Sequence, residues 1–90
     1  MLKISEDKAT KQTVLLRLEG CVVGPWVGEL RQICEPLVND GSKLTLDLAE
    51  VTFADEDGVT LLASLGARGV KLLDVRPFVL EQLKSASPAS

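Results

Sequence analysis

Apolar positions along the chain recur first at every second residue and then at every third or fourth. In "TVLLRLEG", Val14, Leu16 and Leu18 alternate with Leu15 and Arg17. That spacing predicts a strand with one well-buried face. Before it, Leu2 to Ile4 predicts a short edge strand and "SEDKATKQ" a polar turn. Gly20 and Gly24 break the alternation, and Pro25 suits the first turn of a helix. From there Val27, Leu30, Ile33, Cys34, Leu37 and Val38 fall at helical spacing, with Glu29, Arg31, Gln32 and Glu35 on the opposite side. Pro36 is expected to kink or shorten this helix, and Gly41 in "NDGS" to cap its end.

The clearest strand is "KLTLDLAEV", read as 44–49. Leu44, Leu46 and Leu48 point one way; Thr45, Asp47 and Ala49 point the other. A strand covered by helices on both faces would be continuously apolar, so the alternation predicts one covered face and one more polar face. "GVTLLASLGARG" follows, with Val59, Leu62, Ala63 and Leu65 at helical spacing and Gly66 and Gly69 at the end. "VKLLDV" predicts a further strand and "RPFVLEQLKSA" a last helix. The order is β-β-α-β-α-β-α. Strand–helix–strand units of this length favour parallel neighbours joined by right-handed crossovers. The expected fold is α/β, a single small mixed β-sheet with helices packed mainly on one face. Residues 1–84 are expected to form the domain and 85–90, "SASPAS", a loose tail.

Ninety residues bound this to one domain, which buries roughly 60–65% of the surface of the unfolded chain. Aromatic residues are few (Trp26, Phe53, Phe78 and no Tyr), so Leu and Val must fill the core. Trp26, at a helix start, is expected either in the core or at an interface. The net charge of −3 comes from ten scattered basic and thirteen acidic residues. This argues against a nucleic-acid partner, which wants a clustered basic face. No apolar run approaches the ~20 residues that cross a bilayer, and "MLKISEDKATKQ" lacks the apolar segment of a signal peptide. A cytoplasmic location is expected. Cys21 and Cys34 are the only cysteines and there is no His. Two thiols are too few for a metal, and both are expected to be reduced, small core hydrophobes.

One stretch stands apart. "VTFADEDGVTLL" places Asp55, Glu56 and Asp57 side by side before Gly58. It lies between the carboxyl end of a predicted strand and the next helix, where binding concentrates in open α/β sheets. An Asp at the N-cap satisfies orphan N–H groups, and acids in the first turn complement the helix dipole. Capping thus accounts for one or two carboxylates, and three exceed what it asks. Gly58 reads as a backbone requirement, allowing close approach of the helix start or of a partner. Asp47, on the polar face of its strand, is a candidate support for the turn. The sequence holds no nucleophile paired with a base, no Gly-rich phosphate loop and, after "TVLLRLEG", no second acidic pair beyond Glu19, so no catalysis is expected. A small-ligand or divalent-cation site at Asp55, Glu56 and Asp57 stays open as an alternative.

The stretch "LTLDLAEVTFADEDGVTLLASL" resembles the core motif of STAS domains, which occur in anti-sigma-factor antagonists and sulfate transporters. Asp47 and Leu48 match the strand end, Val51 and Phe53 the turn, Asp55 the motif Asp and Gly58 the motif Gly. "VLLRLEGCVVGPWVGELRQICEPL" and "VKLLDVRPFVLEQL" resemble the flanking elements, so the likeness covers roughly 12–84. The resemblance implies a non-catalytic protein-interaction module of a bacterial regulatory circuit controlling transcription. It would need no cofactor, and it would bind an anti-sigma factor, a serine-kinase-like ATPase or a related regulator through the acidic turn 53–60. Phe53, Asp55, Glu56, Asp57, Gly58 and Thr60 would form that surface. In the family, the residue before the Gly is usually a phosphorylatable Ser or Thr. Here it is Asp57, next to Glu56, and the hydroxyls of Thr52 and Thr60 lie off the matched position. A phosphoserine carries about −1.5 to −2 charges, which the two carboxylates together approximate. Many members also carry a further strand and helix; without them an uncovered sheet edge leaves homodimerisation open. An accessory subunit of a membrane transporter complex is the alternative within the same family.

Overall fold

The two long alternating segments form the centre of a four-stranded sheet in the computed structural model, which describes residues 2–9 and 12–86. Strand β1 is Leu2–Ala9, β2 Thr13–Val22, β3 Lys43–Ala54 and β4 Lys71–Leu73; helix α1 is Pro25–Asn39, α2 Glu56–Ala67 and α3 Pro77–Ala86. The sheet order is β1-β2-β3-β4. β1 runs antiparallel to β2, while β2–β3 and β3–β4 are parallel. The α/β class, the element order and the mixed sheet are those expected.

Alternation builds the core. Val14, Leu16 and Leu18 of β2 and Leu44, Leu46 and Leu48 of β3 are buried. They join Val27, Leu30 and Cys34 of α1, Leu62 and Leu65 of α2 and Val79 of α3 in one cluster. Each fully buried Leu contributes roughly 1.5–3 kcal/mol. The opposite face of β2 and β3 carries Leu15, Arg17, Thr45 and Asp47, none of them fully buried.

Several expected boundaries shift, each for a physical reason. "SEDKATKQ" is not a turn through most of its length. Its first five residues belong to β1, where Ser5 pairs with Arg17 and Glu6 with Leu16 before an irregularity between Glu6 and Lys8. Charges and a bulge are ordinary on an edge strand, because they discourage pairing with another chain. Thr10 and Lys11 of that stretch lie outside the described residues. β3 runs on past Ala49 to Ala54, since Val51, Phe53 and Ala54 keep pairing with Gly20, Cys21 and Val22 of β2. β4 is shorter than "VKLLDV": the chain leaves the sheet at Asp74, whose φ of 54° is the left-handed conformation that Asp tolerates better than most residues.

Pro36 does not shorten α1. The helix continues to Asn39, and the Asp40 N–H donates to the Pro36 carbonyl at 2.9 Å. Gly41 ends it as expected. At φ +80° its N–H bonds Val38 O at 3.0 Å, and the Ser42 N–H bonds Leu37 O at 3.0 Å, a Schellman closure. Cys34 is a core residue, and burial, aided by the Glu35 charge, raises its thiol pKa to about 11. Cys21 corrects the expectation for the pair. It falls on the opposite face of β2 from Val22, is only half-buried, and its sulfur lies 3.8 Å from Thr52 Oγ1. Both thiols are free. The expected tail "SASPAS" begins too early: Ser85 and Ala86 belong to α3, which extends to Ala86, and residues 87–90 lie outside those described. No helix among the described residues is long and apolar enough to cross a membrane.

Candidate functional site

Strand extension leaves a very short acidic turn. Phe53 and Ala54 are strand, Asp55 is the N-cap of α2, and Glu56 and Asp57 begin the helix. Asp55 has extended backbone (φ −81°, ψ −176°), as an N-cap requires. Its Oδ1 accepts the Gly58 N–H at 2.8 Å and its Oδ2 accepts the Gly24 N–H at 2.9 Å. One carboxylate therefore joins the start of α2 to the loop between β2 and α1. These N–H donors, Gly24 first and Gly58 second, hold the Asp55 carboxyl below its usual pKa. Gly24 can offer its N–H here because its φ of 57° and ψ of −135° lie in a region open essentially to glycine alone.

Gly58 meets the sheet from the other side. A Cβ at this position would collide with the carbonyl oxygen of Val22 and stand 3.1 Å from Val22 Cγ1. The same carbonyl accepts the Asp55 N–H at 3.1 Å. The helix start thus rests directly on the end of β2, and the close approach that demands glycine is internal.

The remaining residues of the turn point outward. Glu56, Asp57 and Thr60 are exposed, and neither acidic side chain has a hydrogen bond or ion pair among the described residues. Phe53 is 41% exposed and stacks on Phe78 of α3, with ring centroids 6.0 Å apart and planes at 22°. The six expected surface residues therefore divide. Phe53, Glu56, Asp57 and Thr60 face solvent, whereas Asp55 is taken up by backbone donors and Gly58 is buried.

Asp47 plays no part in this site. Its Oδ1 accepts the Ala49 N–H at 3.0 Å and its Oδ2 lies 3.8 Å from Arg17 Nε. These contacts bracket the place where the β2–β3 register shifts, so Asp47 supports the irregularity in the strand. Among the described residues no three Cys, Asp or Glu side chains converge as a metal centre would require, and the Asp55 carboxylate is taken up by backbone donors. Trp26 is half-buried and packs against the core. Two participants escaped the sequence reading. Gly24 was legible only as a strand breaker before Pro25. Phe78 was legible only as one apolar residue of a helix, although Val79 and Leu83 already occupy that helix's inward side.

The four-stranded mixed sheet with its three helices matches the STAS fold. Among solved structures the chain is similar to the anti-sigma factor antagonist SpoIIAA in its unphosphorylated form. The TM-score is 0.74 over 91% of this chain and 82% of that one, with 19% identical residues. No family model matches the sequence, and no curated protein matches it significantly.

Proposed function

We propose that this chain is a non-catalytic interaction module of the anti-sigma-factor-antagonist type, working in the cytoplasm of a bacterium. The observation that carries the reading is the pair Glu56 and Asp57: exposed, without partners among the described residues, and set on a rigid mount. Asp57 stands where the motif places a phosphorylatable hydroxyl. Its charge with that of Glu56 approximates a phosphate that is always present. The fold shared with SpoIIAA supports the same reading.

In this mechanism Asp55 and Gly58 position the turn, while Phe53, Glu56, Asp57 and Thr60 contact the partner. The partner is an anti-sigma factor, a serine-kinase-like ATPase or a related regulator that presents Lys or Arg to the turn. Because the charges are exposed, salt screens their attraction. Co-purification from the native host identifies the partner; a transporter ATPase in its place would select the transporter-subunit alternative. Calorimetry of wild type and Asp57→Asn against the partner, at about 50 mM and about 300 mM salt, then tests the surface. Weaker binding by the variant and at the higher salt is expected. Equal binding under all four conditions overturns the reading.

A further inference from the structure

A groove of about 410 Å³ lies between α2 and α3, beside the acidic turn. α2 lines it with Glu56, Val59 and Thr60, spaced i, i+3, i+4; α3 lines it with Phe78, Glu81 and Gln82, spaced in the same way. Residues at that spacing share one helix face, so two helix faces form the two walls. Each wall carries a carboxylate, and Lys84 lies 4.0 Å from that of Glu81. Phe78 is 58% exposed and stacked on Phe53, also exposed, so two of the large apolar side chains left in solvent meet at the margin of the groove. Gln82 donates its amide to the Ala54 carbonyl at 2.7 Å and leaves its buried Oε1 with no donor among the described residues.

We infer that this groove binds a basic amphipathic segment of a protein partner, with an apolar anchor on the Phe53–Phe78 stack and flanking Lys or Arg facing Glu56 and Glu81. Charge selects this occupant. A second copy would bring another acidic groove and a chain of net charge −3. An anionic lipid surface would be repelled by the same carboxylates. A helix or extended segment laid between two helices with apolar anchors is a recurring mode of peptide recognition. The inference rests on the interaction-module reading above, and it adds α3 to the surface and chemical character to the partner.

The test uses the full chain, ¹⁵N-labelled, titrated with a synthetic peptide in which Trp and Leu anchors alternate with Lys. Amide shifts confined to Thr60, Phe78, Glu81 and their neighbours are expected. Phe78→Ala should weaken binding about tenfold or more, as for an aromatic anchor, and Glu81→Gln should weaken it less. Leu80→Ala removes a side chain that is also exposed but does not line the groove, and should bind as wild type does. No binding, binding unchanged in Phe78→Ala, or shifts spread over the acidic surface would each overturn the inference. So would Phe78-dependent self-association in sedimentation, or tighter binding to anionic phosphatidylglycerol vesicles than to the peptide. With the partner recovered from the host, loss of binding in Asp57→Asn but not in Phe78→Ala overturns the groove and leaves the turn reading standing. The reverse pattern supports the groove and removes the turn.

Discussion

At its N-terminus α2 is held by one short side chain: the Asp55 carboxylate takes the N–H groups of Gly24 and Gly58, and Gly58 rests on the Val22 carbonyl. At its C-terminus the residue that caps it, Arg68, reaches across to α1. Its Nη1 donates to both oxygens of Glu35 at 2.9 Å and its Nη2 to Asn39 Oδ1 at 2.9 Å. The first arrangement fixes backbone to backbone through a carboxylate with few rotatable bonds. The second joins two long, part-exposed side chains through solvent-accessible charge. Precision is concentrated at one end of the helix. The end that presents Glu56 and Asp57 is locked by steric fit and backbone donors, and the far end is tied by contacts that water and salt weaken.

Gly58→Ala should break the locked end most severely. The new methyl must displace a backbone carbonyl that already serves as an acceptor, and the expected cost is about 3 kcal/mol, or roughly 15 °C in melting temperature. Thermal and urea denaturation measure it; a loss below about 2 °C would mean that the junction yields as readily as the far end.

Asp55→Asn comes next, with a melting temperature roughly 5 °C lower at neutral pH. The folded pKa of Asp55 lies below its unfolded value. Its contribution is therefore fully present above the ordinary Asp value near 3.9 and is lost as pH falls through the lower folded value. The gap between wild type and variant should close across that acid window, as a pH series of melting curves would show. A gap that persists unchanged in strong acid would place the effect elsewhere.

Arg68→Ala tests the other end. The expected loss is below about 1 kcal/mol and shrinks as salt rises. Urea midpoints at low and high salt, combined with Glu35→Gln in a double-mutant cycle, isolate the pair. Smallest of all on stability is the double change Glu56→Gln with Asp57→Asn, expected within about 3 °C of wild type because the dipole terms lost are partly offset by relief of repulsion among adjacent carboxylates. Its effect should appear in partner binding instead. A large stability loss there would erase the distinction between the mount and the surface it carries.

Much of this was legible in the chain because it depends on neighbours in sequence. Val14, Leu16 and Leu18, and again Leu44, Leu46 and Leu48, alternate strictly, and alternation alone says which face meets the core. The helical spacing from Val27 onward survived Pro36. Asp55 ahead of an apolar helix signals an N-cap. What stayed hidden depends on register. The persistence of β3 to Ala54 follows from pairing with β2, and the outward turn of Cys21 follows from β2 continuing past Gly20.

The order of elements, the single core face and an acidic helix start with more charge than capping needs can all be read along the chain. These follow from local periodicity and from the chemistry of one short stretch. Which acid is structural, and which have no partner among the described residues, emerges only from the folded chain. That division rests on Gly24 and Val22, residues distant in sequence whose backbone groups meet Asp55 and Gly58 once β2 lies beside β3. A hydrogen bond or a forbidden methyl depends on distances of a few ångströms between such segments, and no spacing within one segment encodes them.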